Sequence, residues 1–272
     1  MTAAFLDVDN AASAAADDAV LAELKGVITR DWANHPRGLQ AAPGPSELGH
    51  PCARKLAGKL VGAQAVNPGG DILPAWIGVA AHSKLERVFK AENRRLLRAH
   101  DADPNVPIYR DVWGANPGRW LTETRLELAD GLTGTCDLFD MATGAVWDFK
   151  LPGASRASFY AKNGPSDEYR AQAHLYGYGF AKLGYSVSTV GIWFIPRAAT
   201  LKKSFLWSEP LDVGLAEAAI ERLKSVRVVT DALGVDGDHQ RLSLIPATPK
   251  DCVFCPLYSA APVDGTYTCQ RG

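Results

Sequence analysis

The sequence predicts a mixed α/β fold in which helices flank one central sheet. Three strand-like runs follow one another at 120–128, 132–141 and 145–151, with Thr143-Gly144 as a turn between the last two. Helical periodicity brackets these runs, and a further strand-like pair, 188–195 and 204–207, follows the next helix. The 272 residues, 47% hydrophobic and 22% charged, suffice to bury a full core and match an ordinary globular composition.

In chain order, residues 1–10 read as a loose tail. From Ala11 to about Trp32, Val20, Leu21, Leu24, Val27 and Ile28 recur at helical spacing. A Pro/Gly-rich stretch from His35 to Pro45 breaks the chain. Ser46 can then cap a helix running to about Val61, its hydroxyl satisfying a free amide of the first turn. A loop at Asn67–Gly70 leads to a long helix from about Pro74 to Arg98. Beyond the three strands, 167–183 and 212–233 are helical, and the tail from Pro246 to Gly272 has little periodicity. The expected organisation is an N-terminal tail and helix over 1–45 and one domain over 46–272, with its core at about 74–210.

Composition and charge exclude some classes. No apolar run approaches the roughly 18–20 residues that a membrane span requires. Asp7, Asp9, Asp17 and Asp18 interrupt the start of the chain, so no secretory signal is expected and the cytoplasm is the expected location. The net charge of -1 is neutral on nucleic acid, for which the placement of cations decides, not their sum. Two stretches qualify: Lys84, Arg87, Lys90, Arg94, Arg95 and Arg98, and Arg197 with Lys202 and Lys203. Either can equally be a solvated surface.

The most informative stretch is Gly134-Thr-Cys-Asp137 followed by Trp147-Asp148-Phe149-Lys150. Side chains alternate across a strand, so Asp148 and Lys150 share a face. An even hairpin loop around Thr143 puts Asp137 on that face too, with Cys136, Leu138 and Phe149 on the other. Asp140 falls on the wrong face. Two carboxylates and an ammonium at one surface suit phosphodiester hydrolysis: carboxylate oxygens bind Mg²⁺ or Mn²⁺, and the lysine orients water or offsets phosphate charge. As site groups they are expected to be exposed and of little packing consequence. A salt bridge between strands is the alternative. In the preceding helix His82 and Glu86 share a face four residues apart, and in the following one Gln172 and Tyr176 do the same.

The series Gly78-x-x-x-His82, Gly134-x-x-Asp137, Asp148-x-Lys150 and Gln172-x-x-x-Tyr176 resembles the RecB-type branch of the PD-(D/E)XK nucleases, in that family's order, over about 78–176. The resemblance implies a restriction-endonuclease-like core sheet. It implies a metal held by His82, Asp137, Asp148 and the backbone carbonyl of Phe149, with Lys150 assisting the water. Gln172 and Tyr176 would shape the DNA-side wall, and Glu86 would stand behind the ligands. Asp at position 148, where many relatives have Glu, is permitted by the family pattern.

Five cysteines without an export signal argue against a disulfide framework. Cys252-x-x-Cys255 presents two thiols from one tight turn, as a metal site requires. With Cys269 and the distant Cys52 the arrangement resembles RecB-type nucleases, such as the CRISPR-associated Cas-four nucleases and the AddB nuclease domain. There one cysteine precedes and three follow the core, together holding a 4Fe-4S cluster. The segment from Pro45 to Lys55 also resembles the surroundings of their first cysteine. The 13 residues between Cys255 and Cys269 exceed the usual gap, and His50 or His239 can stand in for Cys269. Four thiolates equally suit structural Zn²⁺. Cys136 is expected in the core.

The resemblance implies a Mg²⁺- or Mn²⁺-dependent exonuclease acting on ends of single-stranded or processed duplex DNA, in recombination, repair, phage DNA processing or CRISPR adaptation. The chain contains no G-x-x-x-x-G-K-[S/T] sequence, so unwinding would fall to a helicase or recombination partner. Three rival expectations remain: a resolvase-like endonuclease on the same core, a nuclease-derived DNA-binding protein without catalysis, and a non-nuclease protein whose motif matches are accidental, which a structure lacking Asp137 beside Asp148 would establish.

Overall fold

The computed structural model describes residues 4–35, 42–67 and 70–270. Parts of two expected loops, 36–41 and 68–69, lie outside them. The sequence beyond the first three residues is helical at once: α1 runs Ala4–Ala33, so most of the expected loose tail is helix. Alanine-rich sequence lowers the cost of helix there. Along the part of α1 whose side chains are described, Val20, Leu21, Leu24 and Val27 are all exposed. A bond from Trp76 Nε1 to Asp31 Oδ2 (2.9 Å) ties its end to the body.

The expected single helix from Ser46 is two, α2 (Pro45–Leu48) and α3 (Ala53–Leu60). His50-Pro51 interrupts them, because proline disfavours helical backbone in the residue before it. Gly44, not Ser46, holds the cap position, and its N–H donates to Glu47 Oε2 at 2.9 Å. The long helix α4 is Leu73–Ala102.

Strands β1 (Trp120–Ala129), β2 (Leu132–Asp140), β3 (Ala145–Lys150), β4 (Thr189–Phe194) and β5 (Phe205–Pro210) form one mixed sheet in sequential order. β3 and β4 are parallel and the other neighbours antiparallel. The parallel crossover carries α5 (Ala154–Asn163), which the periodicity did not predict, and α6 (Asp167–Lys182). Helix α7 (Val213–Ala232) follows β5.

Helices cover both faces. On one, Phe89 of α4 stacks on Phe149 (6.0 Å between centroids) and meets Trp120 edge-on (5.2 Å). On the other, Phe180 of α6 stacks on Phe139 at 4.4 Å, and α7 packs outside α6. The main core is the α6 side, with Leu126, Leu128, Leu175, Phe180, Val190 and Ile220 all buried. The C-terminal tail returns across α3, where a Cβ on Gly58 would meet Leu257 Cδ1 at 2.6 Å. Glycine there admits the tail. None of the described helices is long and apolar enough to cross a membrane.

Candidate active site and cysteine cavity

The site begins with sheet register. Thr122↔Leu138 and Thr124↔Cys136 bracket Glu123 opposite Asp137, and Leu138↔Trp147 puts Asp137 next to Asp148. One carboxylate from each of three adjacent strands therefore lies in a row across the sheet. Here the strands depart from regular geometry. Glu123 has φ +47°, a left-handed conformation that costs a non-glycine residue roughly 1–3 kcal/mol. The paired stretch of β2 and β3 ends at Leu138↔Trp147, and Phe149 N–H donates to Asp137 Oδ2 (2.6 Å).

This irregularity corrects the expected parity. Gly134 and Phe139 are an odd number of residues apart, yet both face α6: a Cβ on Gly134 would meet Tyr176 Cε1 at 2.8 Å, and Phe139 stacks on Phe180. Alternation therefore slips between them. Cys136 is buried as expected, but in the same α6-side cluster as Phe139 and Tyr176. Asp140 is off the cleft as expected. It is held by Arg119 through two 2.7 Å bonds.

Around the row, a cleft is lined by His82, Glu86, Glu123, Asp137, Asp148, Lys150, Gln172 and Tyr176. His82 Nδ1 lies 3.1 Å from Asp137 Oδ1. Burial works against its imidazolium, but the hydrogen bond and charge of Asp137 and the charge of Asp148 outweigh it and raise its pKa. Lys150 Nζ sits 2.7 Å from Asp148 Oδ2, off the hydrogen-bond direction, and donates to Gln172 Oε1 at 2.9 Å. Gln172 Nε2 donates to Tyr176 Oη at 3.0 Å. Lys150 also lies 4.6 Å above the Tyr169 ring. Asp148 is 3% exposed; burial and the neighbouring Asp137 raise its pKa, while Lys150 opposes them. Burial likewise pushes the Tyr176 hydroxyl well above its ordinary value.

Asp148 and Lys150 are thus not the exposed groups expected. Both are sunk in the cleft floor, because Gln172 and Tyr176 of α6 close over them. Glu86 lines the rim and pairs with Lys90 at 2.5 Å. The Phe149 ring joins His82, Phe89 and Trp193 on the α4 side, leaving its peptide between the two site residues of β3. Gly134 is required by the approach of Tyr176 and Pro45, whereas no described atom lies within 4 Å of a Cβ on Gly78.

Glu123 is the site residue missed in the sequence. Its ligand atom, with those of His82 and Asp137, falls in a group whose members lie within 4.8 Å of one another. The two-residue Asp130-Gly131 turn by itself would set position 123 opposite 138; a register shift between Glu127 and Ala129 moves it opposite 137, and turn counting in the sequence does not reveal that shift.

A second constellation lies at the other end of α2. Cys52, Cys252, Cys255 and Cys269 line one small cavity together with His50, Lys55 and Tyr258. Cys269, separated from Cys255 by the long gap, is therefore brought in; His239 does not line the cavity. His50 is 7% exposed, its Nδ1 accepts from Cys52 N–H (3.2 Å), and its Nε2 has no hydrogen-bond partner among the described residues. Arg54, also buried, joins the two chain ends directly: it donates to the carbonyls of Ile245 and Ser243, each at 2.9 Å. Its Nη1 lies 3.6 Å from Cys269 Sγ.

The first basic stretch is exposed along α4, with Lys90 paired to Glu86 and Arg95 to Glu92. This is the pattern of a solvated helix face. Of the second stretch, Arg197 lines a groove and Lys202 and Lys203 do not.

No protein-family model matches the chain, and no curated protein matches it. Among solved structures, LHK-Exo in complex with dAMP matches at TM-score 0.35 and 16% identity, over 45% of this chain and 62% of that one. An alkaline exonuclease (LHK-Exo) from Laribacter hongkongensis matches at 0.41 and 12%, over 75% and 94%. A phage-related exonuclease from Haemophilus somnus 129PT matches at 0.34 and 15%, over 75% and 100%.

Proposed function

We propose that this chain is a metal-dependent DNA exonuclease of the RecB-type PD-(D/E)XK class, formed by residues 46–272. The supporting observation is the row of Glu123, Asp137 and Asp148, one from each of three neighbouring strands, flanked by His82 and Lys150. Carboxylate oxygens and an imidazole suit Mg²⁺ or Mn²⁺, and the close grouping of His82, Glu123 and Asp137 fits one such ion. Asp148 and the Phe149 carbonyl complete the proposed ligand set. When bound, the ion supplies Lewis acidity toward the scissile phosphate and the attacking water.

The chain's own residues do the rest. Asp137 is fixed from both sides, by His82 and by the Phe149 N–H, so its free lone pairs face the cleft. Lys150 is held by Asp148, Gln172 and the Tyr169 ring, which fixes its ammonium where it can offset charge developing on a phosphate. Gln172 and Tyr176 form the wall that excludes water from behind Lys150.

The four thiols fit a cysteine-ligated cluster. All four line one cavity, and as a set of four thiolates they suit a 4Fe-4S cluster or, as the alternative, structural Zn²⁺. The cluster's part is to clasp α3 to the C-terminal tail.

The test of the exonuclease reading is linear against covalently closed DNA with Mn²⁺. Shortening from ends with closed circles intact is the expected result. Cutting of circles or branched junctions would replace it with the endonuclease reading, and binding without cutting with the adaptor reading.

A further inference from the structure

We infer that the groove running from the catalytic cleft past α5 to the cysteine cavity is a track for single-stranded DNA, an inference that rests on the nuclease reading of the cleft. The groove is continuous with both sites. Ser46 lines it and the cleft, while His50 and Lys55 line it and the cysteine cavity. At the cleft end it begins with Tyr169, the ring beneath Lys150.

Its lining includes three cations and the rings of Tyr160, Tyr169 and Phe254, of which Phe254 is the exposed one. Lys55, Arg156 and Arg197 contribute charge, and no carboxylate among the described residues pairs with any of them within 4.0 Å. The acidic groups present are Glu168 and Asp251. Glu168 is engaged by Lys250 at 3.2 Å, leaving Asp251 as the carboxylate set against three cations. Phe254 stands 64% exposed at the far end, where its ring face is open to a stacking partner. Three cations without carboxylate partners and an exposed ring on one groove match a polynucleotide whose bases are unpaired, since phosphates take the charges and a base face stacks on the ring. A duplex keeps its base faces internal and gains nothing from Phe254.

The test uses the full chain and a fluorescein-labelled single strand of roughly 12 nucleotides, within the footprint such grooves cover. Ca²⁺ replaces Mn²⁺ to prevent cutting, and anisotropy is followed against KCl. Arg156 and Arg197 are exposed, so R156A/R197A should fold and melt as the parent does. It should weaken single-strand binding about tenfold or more and flatten the salt slope by about 1.4, the share of two phosphate contacts. F254A should weaken binding without altering that slope. Cleavage of a nitrophenyl ester of thymidine monophosphate, too short to reach the groove, should be retained. Unchanged affinity and slope in R156A/R197A would overturn the inference, as would a loss confined to duplex. If the parent binds and the variant does not, while neither cuts DNA, the groove stands and the nuclease reading falls. If both cut long strands equally well, the groove falls and the nuclease reading stands.

Discussion

At the scale of single residues, the site is built from groups that constrain one another. Lys150 has three partners, so its removal should cost catalysis more than stability: K150M should lower DNA hydrolysis by about 10²–10⁴-fold while remaining folded by circular dichroism. Undiminished turnover would remove Lys150 from the reaction. Glu123 carries a sharper prediction, because its backbone is strained and its carboxylate lies beside His82 and Asp137. E123Q should raise the Mn²⁺ needed for half-maximal activity on the order of tenfold, with calorimetric Mn²⁺ affinity weakened in parallel. An unaltered Mn²⁺ titration would make Glu123 a bystander. His82, Asp137, Asp148 and Lys150 were legible because motif spacing survives in one dimension. Glu123 was not, because a lone acid on an alternating strand reads as a solvated one until its partner across the hairpin is known. The burial of Asp148 was equally hidden, since it comes from α6 closing over the sheet.

At the scale of elements, the β2–β3 hairpin holds two of the three carboxylates in register, and Asp140 holds the hairpin. Its carboxylate takes both Arg119 bonds, the Ala142 N–H (3.0 Å) and the Thr143 hydroxyl (2.8 Å). Burial works to raise its pKa, but these bonds prevail and hold it below the ordinary value. A depressed carboxylate stabilises the fold above its unfolded pKa, and that contribution disappears as pH falls through the folded one. D140N should therefore melt lower than the parent at neutral pH, by about 1–3 kcal/mol, the pair being partly exposed on the arginine side. The gap should narrow below about pH 4. A gap that persisted undiminished at low pH would mean that the turn, not the charge, is what Asp140 supplies. Element types were well read wherever periodicity was long, as in α4, α6 and α7. The split of α2 from α3 and the presence of α5 were not, because each depends on short-range breaks at His50-Pro51 and Gly153 that periodicity averages away.

At the scale of the molecule, two sites are joined by one short segment: α2 reaches the cleft through Pro45 and Ser46, and Cys52 follows four residues after its end. The proposed metal clasp would fix that segment from the far side, so its loss should loosen the cleft wall as well as the tail. Protein purified without oxygen should be brown, with about four irons per chain, and C252S, C255S, C52S and C269S should each lose the colour while C136S keeps it. Stoichiometric zinc in a colourless preparation would replace the cluster with a zinc site, and a metal-free, fully folded protein would return the cysteines to ordinary packing. The ends of the chain were legible here through cysteine spacing alone, whereas Arg54, which bridges them without metal, gave no pattern in the sequence. The central claim, that the carboxylate row hydrolyses DNA from its ends, is tested most directly by end-labelled linear DNA with Mn²⁺, comparing the parent with D148N. The parent should release label progressively, and D148N, isosteric in its buried position, should release none while melting within a few degrees of the parent. Equal release by both, or none by a folded, metal-loaded parent, would contradict it.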